Sequence, residues 1–142
     1  MKNPLRKYHY IDHTADLGIK VFGLTLAELF ENAAFGLFDN IANLEKVNPN
    51  SEFNVEVQAT DREALLVNWL SELNYLFLTR KELFKCFQVN EINDEHLTAI
   101  VKGEKLDLER HEIYTEVKAV TYHKLYVKET DQDWEAQIIF DL

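Results

Sequence analysis

The chain of 142 residues is short of almost everything that marks the commonest catalytic folds. It holds one cysteine, two prolines and four glycines. A single cysteine, Cys86, excludes an internal disulfide and agrees with a reducing compartment such as the cytoplasm. Cys86 lies in "LFKCFQV" and is expected to be a small core residue. So few glycines leave no room for a phosphate-cradling loop, and no G-x-S-x-G, H-E-x-x-H or paired C-x-x-C is present. Ser51 and Ser71 are the only serines and neither stands in a nucleophile motif, which argues against a covalent hydrolase. No apolar run is long enough to cross a bilayer. The opening "MKNPLRKYHY" has basic residues without an apolar segment behind them, so it does not read as a signal peptide. Positive charge is scarce as well. The formal charge is −10, a surface that repels phosphate backbones and disfavours direct, non-specific nucleic-acid binding. It would suit cations or a basic protein partner, although the plainer reading, that acidity keeps a cytosolic protein soluble, carries more weight.

What is present is apolar and patterned. With 46% hydrophobic residues and nine Phe, the chain is long enough for one domain, residues 1–142, with a single core. Residues 8–12 and 16–22 read as short strands, with Leu17, Ile19 and Val21 on one face. "TLAE" is a capping box in which Thr25 accepts from the N–H of Glu28 and Glu28 reaches back. Behind it Leu26, Leu29, Phe30, Ala33, Ala34, Leu37, Phe38 and Ile41 fall at helical spacing. Phe53, Val55, Val57 and Ala59 alternate as a strand. Asp61 is placed to cap a second helix whose stripe is Leu66, Trp69, Leu70, Leu73 and Phe77, ending near Lys81. Asn74 falls in that helix where an apolar residue is expected. Segments near 84–91 and 96–103 suit a hairpin across "NEIND". Residues 104–114 read either as a short helix or as an irregular crossover. "KAVTYHKLYVKE" and "WEAQIIFDL" are strands joined by "TDQD". The order β-β-α-β-α-β-β-β-β predicts an α+β fold, two helices packed on largely antiparallel sheet.

The residues able to do chemistry gather in "HYIDHTADLGIKVFG". His9 and His13 are four apart, a spacing that would grip zinc on a helix. Their flanks read as extended and no matching Cys or His pair follows, so His9 reads as a strand residue and His13 as a loop-shaping one. Asp16 alone would be a solvated turn residue. At the other end, Asp141 closes an apolar strand and Leu142 carries the main-chain carboxylate. If the loop at 13–16 lies beside that terminus, three carboxyl groups converge. Such a cluster repels itself unless a cation compensates, and hard oxygen donors favour Ca²⁺, Mg²⁺ or Mn²⁺ over zinc. Lys118, His123, Lys124 and Lys128 read as one solvated strand face, or as a basic edge able to orient a phosphate or a partner's carboxylate.

"DHTADLGIKVFG", "TLAELFENAAFGLFD", "LLVNWLSELNYLF", "VKAVTYHKLYV" and the terminal "IIFDL" together resemble the archease family, in family order and from Tyr8 to Leu142. The resemblance implies a small cytosolic accessory protein of the GTP-dependent ligase that joins 3′-phosphate or 2′,3′-cyclic-phosphate RNA ends to 5′-hydroxyl ends in tRNA splicing and RNA repair. Archeases are understood to promote guanylylation of that ligase and its repeated turnover, and are not themselves known as RNA-joining enzymes. The resemblance implies a divalent-metal site, Ca²⁺ foremost with Mg²⁺ or Mn²⁺ as alternatives, at Asp16, Asp141 and the carboxylate of Leu142. It gives His13, Lys118 and His123 supporting or partner-facing roles. It also carries a second role, as chaperone or modulator of an RNA-modifying enzyme such as a tRNA methyltransferase. A free-standing metal-dependent phosphohydrolase, with His13 or His123 as base, is the reading from a third class. The stretch 82–112 carries little of the family signature.

Overall fold

The computed structural model describes residues 7–12 and 16–142. The strands are β1 (Tyr8–Tyr10), β2 (Leu17–Gly23), β3 (Ser51–Gln58), β4 (Glu82–Ile92), β5 (His96–Lys105), β6 (Ala119–Glu129) and β7 (Trp134–Asp141). The helices are α1 (Leu26–Ile41) and α2 (Arg62–Arg80), with a short 3₁₀ turn at Leu44–Lys46. The strands form two sheets, one of four strands in the order β1-β2-β7-β6 and one of three in the order β3-β5-β4. Every pairing is antiparallel. The α+β architecture expected from the residue pattern is therefore present, with the sheet divided in two.

Both helices touch both sheets. α1 packs on β1, β2 and β7 of the first sheet and on β4 of the second, while α2 packs on β6 and on β3, β4 and β5. This position explains why their apolar stripes are wide. Leu29, Phe30, Ala33, Ala34, Leu37, Phe38 and Ile41 of α1 are all buried, as are Leu65, Leu66, Trp69, Leu70, Leu73 and Phe77 of α2. The Trp69 indole nitrogen donates to the carbonyl of Phe30 at 2.9 Å, tying the helices together inside the core. Both caps form as expected: Thr25 Oγ1 accepts from Glu28 N and Asp61 Oδ1 accepts from Ala64 N. The Glu28 carboxylate reaches one residue further back than a capping box requires, accepting from the N–H of Leu24. α2 stops at Lys81, whose φ of 58° places a non-glycine residue in the left-handed region.

Two local departures change what faces outward. Cys86 is exposed, not a core residue. The register steps from the pair Phe84↔Gly103 to Cys86↔Lys102, so Lys85 is an extra residue in β4. That bulge reverses the alternation, turning Cys86 out and Phe87 inward against the core. Residues 106–118 are an irregular crossover and not a helix. It is moored by Tyr114 N–H to the carbonyl of Ile41 at 2.8 Å and by a bridge between Ala42 and Ile113. Among the described residues, no helix is long and apolar enough to cross a membrane.

Candidate functional site

The register of the four-stranded sheet determines where the two ends of the sequence meet. β2 and β7 pair from Leu17↔Phe140 to Gly23↔Trp134. Asp16 directly precedes the first of these pairs and Asp141 directly follows it. The two aspartates therefore flank the same end of one ladder, on strands about 4.8 Å apart. β7 has β6 on its other side, where Ala119 pairs with Asp141. The N–H of Lys118 donates to the carbonyl of Asp141 at 2.8 Å. Asp16, Asp141, Leu142 and Lys118 thus lie together at one end of three adjacent strands.

Alternation sets the face. Ile19, Val21, Ile138 and Phe140 point into the helical core. Asp141 shares its parity with Ile139 and Gln137 and so belongs to the face turned away from the helices, the face that also carries Gly18 and Lys20, while Asp16 sits in the bend just before β2. Gly18 is needed on that face. A Cβ there would stand 2.5 Å from Ile11 Cγ1, while the N–H of Ile11 donates to the carbonyl of Gly18 at 3.0 Å. Ile11 thereby lies across the sheet beside Ile139. Asp16 is half-buried, whereas Asp141, Lys118 and His123 are exposed and Leu142 is 40% exposed.

His13 lies outside the described residues. His123 sits elsewhere on the sheet. Between the pairs Thr121↔Ile139 and Tyr126↔Gln137, four residues of β6 stand opposite Ile138 alone. This large bulge carries Tyr122, His123, Lys124 and Leu125. Lys124 takes a φ of 55°, and its carbonyl accepts from Gln137 Nε2 at 2.9 Å. Asp141 is three steps along β7 from Ile138, roughly 10 Å along the strand. Along the backbone the bulge lies apart from the acidic end, and among the described residues Lys118 is a basic residue at that end. Among the described residues, no three His, Cys, Asp or Glu side chains gather into a metal-holding group.

A second polar constellation escaped the sequence reading. Glu104, at the end of β5, is buried. One carboxylate oxygen takes Arg110 Nη2 at 2.7 Å; the other takes the N–H of Asn48 at 2.9 Å and His111 Nε2 at 2.9 Å. The N–H of Asp107 donates to His111 Nδ1 at 2.9 Å, so that ring nitrogen accepts and Nε2 carries the proton. Burial opposes the Glu104 charge, but the Arg110 guanidinium, the Asn48 N–H and His111 outweigh it and hold the carboxyl at about 2. The outer wall of this cluster borders a polar cavity of about 450 Å³ lined by Asn43, Lys46, Arg110 and Tyr114 among others. The sequence offered only Glu104 and His111 seven apart in a stretch without periodicity.

The comparisons with known proteins agree with one another. A family model described as "Archease protein family (MTH1598/TM1083)" matches residues 8–142. The chain is 43% identical over 141 residues to Protein archease of Methanosarcina mazei, covering 96% of this chain and 97% of that one. It is 39% identical to Protein archease of Pyrococcus furiosus, covering 97% of this chain and all of that one. It superposes on the solution structure of Methanobacterium thermoautotrophicum protein 1598 with a TM-score of 0.79 at 36% identity, covering 96% of this chain and 99% of that one.

Proposed function

Since the chain belongs to the archease family, we propose that it is a non-enzymatic activator of the GTP-dependent RNA ligase of tRNA splicing and RNA repair. It promotes guanylylation of the ligase histidine and repeated turnover, working from the end of the four-stranded sheet. The observation that carries this reading is the register that sets Asp16 beside Asp141 and the terminal residue, with Lys118 alongside. The chemistry of the donor set supports a hard divalent cation, Ca²⁺, Mg²⁺ or Mn²⁺: two carboxylate side chains and the carboxylate of Leu142 offer oxygen donors only.

A cation held there would supply positive charge toward the phosphates of a nucleotide during attack on the α-phosphorus. The chain's own residues do the rest. Asp16, in the bend that opens β2, and Asp141, at the end of β7, would hold the ion from two neighbouring strands. Lys118 is an exposed cation beside them, able to meet a phosphate or a partner's carboxylate. The net charge of −10 speeds the encounter with a positively lined ligase cleft. Work in the cytoplasm is part of the same proposal.

The test is reconstituted ligation with the cognate ligase, GTP and metal, run with wild type and Asp16→Ala side by side. Stimulated multiple turnover by wild type, lost with Asp16→Ala, is expected. No effect of wild type on guanylylation at any stoichiometry would remove the reading. Suppressed aggregation of a tRNA methyltransferase, indifferent to Asp141→Ala, would favour the chaperone role instead. Phosphatase turnover by the isolated chain would favour the phosphohydrolase.

A further inference from the structure

Asn74 is an amide set on the buried face of α2 among Leu70, Leu73 and Phe77. It is 4% exposed. Its Nδ2 donates to the carbonyl of Val117 at 2.8 Å, while its Oδ1 is buried without a hydrogen-bond partner. A buried amide oxygen left in that condition costs stability, and leucine would suit the stripe better. Packing alone therefore does not account for the residue.

The carbonyl it binds belongs to the peptide between Val117 and Lys118. The other end of that peptide is the Lys118 N–H, which donates to the carbonyl of Asp141 at 2.8 Å. The peptide is planar and rigid, so holding its oxygen also aims its N–H. Val117 is itself fully buried, and both polar ends of its peptide need partners. One side chain in the core is in this way linked, through a single peptide plane, to the main chain of the last residue of β7.

We propose that Asn74 is a positioning residue: it orients the Val117–Lys118 peptide, which pins the main chain of Asp141 and thereby aims the Asp141 carboxylate toward the metal position beside Asp16. This rests on the reading of Asp141 as a metal ligand. Asn74 does not touch the ion. Its effect is on how narrowly one ligand is held.

The experiment uses the full chain with Asn74→Leu, and three readouts: thermal midpoint, hydrogen exchange of the Lys118 amide, and Mn²⁺ affinity by titration. The thermal midpoint should change little, because losing the unpartnered Oδ1 is offset by leaving the buried Val117 carbonyl without its donor. Lys118 exchange should speed up by about ten-fold or more, and Mn²⁺ affinity should fall by roughly 3- to 10-fold, the range one hydrogen bond commands. A merely structural amide would move the midpoint and leave affinity alone. Unchanged Lys118 exchange in the folded variant overturns the proposal. So does faster exchange with unchanged Mn²⁺ affinity while Asp141→Asn loses the metal, and that outcome leaves the metal reading standing. Wild type that takes up no Mn²⁺ removes the metal reading and the proposal together. If Asn74→Leu does not fold, Asn74→Ala, which leaves a gap and no clash, is read by the same criteria.

Discussion

The chain keeps carboxylates in two very different settings. At Glu104 the protein supplies its own compensation: a guanidinium, a ring N–H and a main-chain N–H close around a buried group. At the end of β2 and β7, Asp141 stands exposed beside a half-buried Asp16 at the rim of a sheet. The first arrangement holds a crossover in place and has little capacity left for a ligand. The second directs negative charge outward from a rigid base. Glu104 is surrounded by donors from its own chain, whereas Asp141 is held from behind by its backbone.

Substitution separates the two most sharply. Asp141→Asn is expected to weaken Mn²⁺ or Ca²⁺ binding by more than ~100-fold, because it neutralises a ligand itself and not a group behind one. Its urea midpoint should match wild type, and a calorimetric titration beside an unfolding curve checks both. Glu104→Ala should do the reverse. Leaving the Asn48 N–H unpaired and His111 Nε2 with only its longer contact to the Lys46 carbonyl should cost about 2–4 kcal/mol in urea unfolding, with metal affinity unchanged. Residues appended after Leu142 convert its carboxylate to a neutral amide and crowd the position. Metal affinity should drop by about ten-fold or more with thermal stability intact, and unchanged affinity would exclude Leu142 as a ligand. Acid gives the mildest contrast. The carboxyl of Glu104 is depressed in the folded protein, so its contribution is fully present above about 4.5 and is lost as pH falls toward about 2. Stability of wild type should decline across that window, and the decline should be shallower in Glu104→Gln.

The helices and strands were legible because period and caps agreed. Thr25 and Asp61 mark helix starts that the structure reproduces, and the alternation in "WEAQIIFDL" matches β7. What failed was parity. Nothing in "LFKCFQV" signals that Lys85 is an extra residue, so even alternation points Cys86 to the wrong face. The same holds for the β6 bulge. A lysine at positive φ gives no warning of the kind a glycine would, and His123 reads as one step in an even strand. The nearness of Asp16 and Asp141 was conditional on register, which a single sequence does not fix. The Glu104 cluster was invisible because its members converge from a strand, a turn and an irregular segment.

Glu31 has a bearing on life at high concentration. Its carboxylate, pushed up by burial, reaches from α1 to accept the N–H of Val89 on the outer strand of the three-stranded sheet. That donor is thereby withheld from any foreign strand. The bulges in β4, and the larger one in β6, bend both of those borders away from a straight template. Such borders discourage one molecule from zippering onto the next. A chain so furnished resists edge-to-edge pairing at both of these borders.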